Sequence, residues 1–264
     1  PLVARALFLA LGGIDALGEH EQLRARDRQH VFLEGGPTLA AAIERIRGGK
    51  DAIDPDPSLG YVRNFLRMTF GPDYEVTDEV AAALPLAGLT ALRVLETLAV
   101  TKGDTLLVHA ASGGVGFAAA QLAIAAGATV VGTASTANHD KLRDIGVSPV
   151  EYGDGLEERL REVAPEGFDA VADFVGGVLD VSRAVLRDGG RLASITDPTV
   201  EEHGGRWVWV RPDGARLADL LDEVAAGRLR VDVDRTFALE DVPQAFAASQ
   251  SGAARGKLVI EVAD

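Results

Sequence analysis

The stretch Val108-His109-Ala110-Ala111-Ser112-Gly113-Gly114-Val115-Gly116 decides how this chain folds. It joins an apolar run at residues 105–110 to an alanine-rich run at residues 117–126 that stops at Gly127, and another apolar run follows at residues 129–133. Strand, glycine-rich turn, helix and strand form the context in which G-x-G-x-x-G binds a dinucleotide; without that context the glycines would read as an ordinary turn. The motif positions fall on Ala111, Gly113 and Gly116. The turn must be tight, the backbone must approach a pyrophosphate closely, and the last glycine lets the helix pack on the strand. Free N–H groups at the helix start, with the helix dipole behind them, then favour the phosphates. Ala111 departs from the strict fingerprint.

Outward from the turn, helices and short apolar strands alternate. Strands are expected at residues 149–152, 170–174, 191–195, 207–210, 230–237 and 257–262. Helices are expected at residues 89–99, 138–145, 155–163, 178–186, 214–226 and 241–249. Apolar strands separated by helices imply a parallel sheet covered on both faces. The fold class is therefore α/β, a Rossmann-type doubly wound parallel sheet over residues 85–264. The first 84 residues read differently, as an all-helical N-terminal segment. Residues 2–11 form an apolar helix stopped by Gly12-Gly13, residues 14–29 a polar one, and residues 38–47 and 59–70 two capped helices on either side of Asp54-Pro55-Asp56-Pro57. A further helix begins at Thr77.

The end of the second strand selects the cofactor. An NAD site usually places Asp or Glu there, on the ribose hydroxyls. Here the strand ends Val131-Gly132-Thr133-Ala134-Ser135-Thr136, with no carboxylate. A carboxylate would repel a 2′-phosphate, whereas Ser135, Asn138, His139 and Lys141 are donors. NADP is therefore preferred over NAD. Ser135 and Thr136 also suit capping of the next helix.

Composition narrows the remaining classes. There are no cysteines, which removes disulfides and cysteine-bound zinc and suits a reducing cytoplasm. The net charge of −14 opposes a general nucleic-acid or anionic-membrane surface, so any phosphate site must be local. No apolar run reaches the ~20 residues that span a bilayer. The five histidines are scattered without ligand spacing, and no metal site is expected. His109, at a strand end, is expected to be a packed residue. A chain opening on Pro1 is expected to have been trimmed, processed or built that way.

Several segments together resemble the coenzyme-binding half of the medium-chain dehydrogenase/reductase superfamily, in its zinc-free quinone oxidoreductase branch. They are Ala82-Ala83-Leu84-Pro85-Leu86-Ala87-Gly88-Leu89-Thr90-Ala91, the glycine-rich turn, Gly132-Thr133-Ala134-Ser135, Val208-Trp209-Val210-Arg211-Pro212 and Arg255-Gly256-Lys257-Leu258-Val259. That family's turn usually carries Ala at the first motif position, as at Ala111. The resemblance implies Thr90 near the nicotinamide, and Ser112, Gly113, Gly114, Val115 and Gly116 along the pyrophosphate. It implies Ser135 and Lys141 at the 2′-phosphate and Tyr152 near the adenosine. Gly176 and Gly177 would lie at a close approach to the cofactor, and Trp209 and Val210 beside the nicotinamide and a subunit contact. Residues 38–83 resemble instead a helical stretch of citrate synthases, carried by Asp54-Pro55-Asp56-Pro57-Ser58-Leu59-Gly60-Tyr61-Val62-Arg63-Asn64-Phe65-Leu66-Arg67-Met68, and none of that family's catalytic residues follows.

The expected function is NADPH-dependent reduction of a quinone or an enone-like carbonyl compound without zinc. The family's N-terminal catalytic β-barrel is not recognisable in residues 1–84. Turnover is accordingly expected to be weak or nil, with the closing strands left unpaired and the chain self-associating as a homodimer or otherwise. The alternatives are a non-catalytic dinucleotide-binding module and a citrate-synthase-like acyl transferase fragment.

Overall fold

The computed structural model of the chain describes residues 5–8 (backbone only), 76–252 and 254–262. The helices expected at residues 14–29, 38–47 and 59–70, with most of the citrate-synthase-like stretch, lie outside them.

The centre is a parallel sheet of six strands in the order β4-β3-β2-β5-β6-β7. These are β2 (Thr105–His109), β3 (Thr129–Ala134), β4 (Ser148–Glu151), β5 (Phe168–Asp173), β6 (Leu186–Ser194) and β7 (Arg206–Trp207). The side-chain period of two splits β2 between two cores. Leu106 and Val108 pack with Phe117, Ala120 and Leu142 on one face, and Leu107 packs with Leu160, Phe168 and Val185 on the other. Helices α2 (Gly114–Ala125) and α3 (His139–Arg143) thus cover the first face, and α4 (Leu156–Val163) and α5 (Leu179–Val185) the second. The chain runs outward from β2 to β3 and β4, then returns to lay β5 against the other side of β2. That reversal opens a crevice at the carboxyl ends of β2 and β5, where open α/β sheets bind ligands.

Helix α1, Asp78–Thr97, precedes the sheet and packs on the first face through Val94, Leu95 and Leu98. Thr77 caps it by accepting from Val80 N at 3.4 Å. It continues through Pro85, so two expected helices are one, and it crosses the expected boundary near residue 84. Proline lacks the N–H that would reach the Ala81 carbonyl. Tertiary packing outweighs that loss, because Ala81, Ala82, Ala83, Leu84 and Pro85 are all buried. Among the described helices α1 is long and apolar enough to cross a membrane, yet 67% of its apolar 18-residue window is buried within the fold.

A second sheet has the order β1-β9-β8, with β1 Arg5–Phe8, β8 Val233–Ala238 and β9 Lys257–Val262. Helices α6 (Gly214–Ala225) and α7 (Val242–Gln250) flank β8 in sequence. Here two expectations are corrected. Part of the segment read as helix over residues 2–11 is a strand, antiparallel to β9 with Arg5 opposite Val262 and Phe8 opposite Val259. A short apolar run has no periodicity that separates helix from buried strand, and an open sheet edge decides between them. In consequence β9 is paired on both sides, rather than left bare as expected. Strand β7 is also shorter than residues 207–210, and β8 starts at Val233 rather than residue 230.

Candidate nucleotide-binding site

The turn after β2 is built by hydrogen bonds from its neighbour β3. Ala110 takes a left-handed conformation (φ 55°), and its N–H donates to Thr133 Oγ1 at 3.1 Å. Ala111 N donates to the Thr133 carbonyl at 2.9 Å, and Gly113 N to the Ala110 carbonyl at 3.0 Å. Gly113 is extended and serves as the N-cap of α2 without any side-chain cap. The first N–H groups of α2, at Gly114, Val115 and Gly116, therefore face the crevice uncapped, as an anion site requires. A Cβ at Gly116 would lie 2.3 Å from the Ala110 carbonyl oxygen, so the close approach of helix to strand excludes any side chain. At Gly113 the same oxygen would be 3.2 Å away, a contact a small shift relieves. The Ala at the first motif position has a local cause. The Ala111 methyl occupies space left by Gly132 on β3, where a Cβ would lie 2.5 Å from it.

Below the turn lies a directional chain of buried polar groups. Ser182 Oγ donates to the Val178 carbonyl at 2.7 Å and so accepts from His109 Nε2 at 3.1 Å. His109 therefore carries its proton on Nε2, and Nδ1 accepts from Thr133 Oγ1 at 3.3 Å. The ring is fully buried and neutral. Burial pushes its pKa down to about 4, against the opposing pull of Asp173. Asp173 at the end of β5 accepts from Ser194 Oγ at 2.7 Å and from the N–H groups of Val175 and Gly176, each at 2.9 Å. It thereby fixes the loop containing Gly176 and Gly177, both left-handed (φ 80° and 69°), at the crevice beside the turn.

The other expected site residues divide by position. Val115 sits in the first turn of α2, packed with Ala91, Ala118 and Ala119. Thr90 is buried in α1, and its hydroxyl donates to the Leu86 carbonyl at 2.6 Å. Ser135 follows the last residue of β3 and makes no capping bond; its Oγ accepts from Asn138 Nδ2 at 3.0 Å, which leaves its own proton to donate. Thr136 donates to Glu151 on β4 at 2.7 Å, so a carboxylate stands near the strand end from a neighbour that linear spacing did not reveal. Tyr152 is exposed just beyond. Trp209 is exposed just past the end of β7, edge-on to Trp207 at 5.1 Å, and Val210 follows it, both outside any strand.

Lys141 departs most from expectation. Its ammonium pairs with Asp232 at 3.0 Å and donates to the Arg255 carbonyl at 2.6 Å. It also lies 3.4 Å from the Ser112 carbonyl, which places it at the glycine turn. Ser112, Gly114 and Lys141 share a small cavity of about 20 Å³ with Arg230, Asp232 and Lys257. Of these Lys257 was missed as a site residue, although Arg255-Gly256-Lys257 stood in the sequence as a family-like segment. Burial lowers the Lys257 pKa to about 8. Among the described residues no group of three or more His, Asp or Glu is placed to hold a metal.

An uncapped helix start at a switch point, a third glycine that admits no Cβ, and basic side chains at the turn define a Rossmann-type dinucleotide-binding unit. The residues present fit a nicotinamide dinucleotide. A family profile described as zinc-binding dehydrogenase matches residues 148–260. The quinone oxidoreductase from Coxiella burnetii superposes with a TM-score of 0.64 at 36% identity, over 69% of this chain and 60% of that one. A mycobacterial protein solved with NADPH does so with a TM-score of 0.61 at 30% identity, over 73% and 66%. The polyketide synthase GfsB of Streptomyces halstedii is 36% identical over 203 residues, 70% of this chain and 4% of that protein. The chain thus spans only part of each relative's length. Its described C-terminal portion belongs to the medium-chain dehydrogenase/reductase superfamily, as the coenzyme-binding half.

Two outcomes follow from this geometry. Gly113→Ala should fold and melt within a few degrees of the parent. Gly116→Ala should lose about 1–3 kcal/mol of stability and most nucleotide affinity, as overpacking against backbone does; equal melting temperatures for the two variants contradict this account. The second outcome concerns His109. Its folded pKa lies below its unfolded value, so the unfolded chain binds the extra proton between them. Stability linked to His109 is intact above about pH 6.5 and is lost as pH falls toward 4, by about 3 kcal/mol. Melting profiles against pH for the parent and His109→Gln should diverge within that window.

Proposed function

We propose that this chain binds NADPH and serves hydride transfer to a conjugated carbonyl compound, a quinone or an enone, without zinc. The observation that carries the reading is the uncapped start of α2, where Gly116 leaves no room for a side chain and the first N–H groups lie beside the Lys141 and Lys257 side chains. The quinone oxidoreductase and NADPH-bound relatives support the cofactor class and the type of acceptor. The polyketide synthase match favours a conjugated thioester within the enone class, because reduction of such a double bond is the same conjugate addition.

In this reading the N–H groups of Gly114, Val115 and Gly116 hold the diphosphate. Ser135 donates its free proton to the 2′-phosphate, with no carboxylate on its own strand end to repel that group. Glu151 is kept on Thr136. Asp173 holds the loop of Gly176 and Gly177 against the crevice, which fixes the far wall of the site. The cofactor would supply the hydride, and the protein orientation and electrostatics. Addition at the carbon β to the carbonyl drives the electron pair onto oxygen. Self-association of the chain, as a homodimer or otherwise, is part of the proposal, through the segment just after β7 that carries the exposed Trp209.

Cofactor titration tests the reading first. NADPH should bind more tightly than NADH, and Ser135→Asp should reverse that order, each tenfold change amounting to about 1.4 kcal/mol. A Ser135→Asp chain that keeps its NADPH preference would falsify the placement of the 2′-phosphate. Consumption of NADPH with a small quinone or an enoyl thioester separates an oxidoreductase from a module that binds without turnover.

A further inference from the structure

We propose that Thr136 and Glu151 set the choice between NADPH and NADH: Glu151 is a carboxylate that β4 supplies to the end of β3, and Thr136 is the hydroxyl that holds it off the 2′-phosphate position. The proposal rests on the dinucleotide reading for its ligand, and it moves part of the selection from Ser135 to a neighbouring strand.

The carboxylate reaches the strand end across the sheet. Strands β3 and β4 are parallel, and Glu151, the last residue of β4, is the register partner of Ala134, the last residue of β3. An NAD site keeps its acidic residue at the end of the strand that follows the glycine turn. Here Ser135 holds that place, and the acid stands one strand over. Glu151 is exposed, and its Oε1 accepts from Thr136 Oγ1 at 2.7 Å. Its backbone is pinned. Arg159 donates to the Glu151 carbonyl at 2.9 and 3.1 Å and to the Asp154 carbonyl at 2.8 Å. The Glu151 side chain can therefore turn while its Cα stays in place. Asp140, in the first turn of α3, is paired with Arg143 at 2.7 Å.

The bond from Thr136 is charge-assisted and fixes one rotamer of Glu151. It directs the carboxylate without neutralising it. The charge stands beside the residue after Ser135, a separation comparable with the Debye length of about 8 Å at physiological salt, so a 2′-phosphate on Ser135 feels it incompletely screened. Released from Thr136, the carboxylate can turn toward Ser135. There it would accept from the ribose hydroxyls of NADH, as a strand-end acid does, and repel a 2′-phosphate. Ser135 and Glu151 thus act in opposite directions on one phosphate. The free Ser135 proton favours it, Glu151 opposes it, and Thr136 decides how strongly. The result is a graded preference for NADPH rather than an exclusive one.

The test is calorimetric titration of the full chain with NADPH and with NADH, which differ only in the 2′-phosphate. Both side chains are exposed, so the variants should fold as the parent does. Thr136→Val keeps the side-chain shape and frees the carboxylate, and the ratio of NADPH to NADH affinity should fall about tenfold. Glu151→Gln should raise that ratio several-fold above the parent, a gain that shrinks in high salt. The double variant should behave as Glu151→Gln, since Thr136 then has no charge to hold. An unchanged ratio in Thr136→Val overturns the selector. So does a double variant that keeps the loss of Thr136→Val, because Thr136 would then be a direct phosphate donor. A parent that prefers NADH, with the ratio falling further in Thr136→Val, upholds the selector and sinks the NADPH reading. Binding of neither cofactor by any of these chains overturns both.

Discussion

At Gly116 helix α2 comes so near the Ala110 carbonyl that a side chain would sit 2.3 Å from its oxygen, and the arrangement of the crevice follows from that approach. The helix can start this close only because Gly113 is extended and Ala110 is left-handed. Those two conformations turn the chain sharply enough to aim the first N–H groups outward. The left-handed alanine is strained, and strain persists where surrounding bonds over-determine it. Here Thr133 does so twice, through its hydroxyl to Ala110 N and its carbonyl to Ala111 N.

The polar layer beneath the turn extends the same constraint across the sheet. Thr133 on β3, His109 on β2 and Ser182 on α5 form one chain of donors and acceptors, and each member has its direction set by the next. Asp173 and Ser194 do the equivalent work for the β5 and β6 ends. Buried polar groups of this kind rigidify a fold when every member is satisfied. Both edges of the crevice are therefore held by side chains that need not touch a ligand.

Much of this was legible in the sequence, and what was not has physical causes. The strand-turn-helix order around residue 113 and the alternation after it specify the parallel sheet, because buried parallel strands leave continuous apolar runs. His109 was readable as a packed strand-end residue. Its partners Thr133 and Ser182 were not, since they come from elements distant in sequence. Lys141 was read from spacing as a 2′-phosphate donor. Its partner Asp232 is supplied by a segment far along the chain, and that contact is invisible to spacing. Glu151 was overlooked for the same reason, a register partner of Ala134 across strands. The strand at Arg5–Phe8 was misread because its fate depends on β9, whose pairing no local pattern announces.

The Ala111 methyl against Gly132 has a consequence for how such turns are recognised. The fingerprint treats its first position as a property of the turn, yet the quantity fixed here is a volume shared by two strands. The methyl at 111 requires that residue 132 carry none, and Val147, whose Cγ1 would lie 2.9 Å from a Cβ there, holds position 132 to glycine from the other side. A sequence pattern that scores the turn without its neighbouring strand therefore misses the residue that makes Ala111 acceptable.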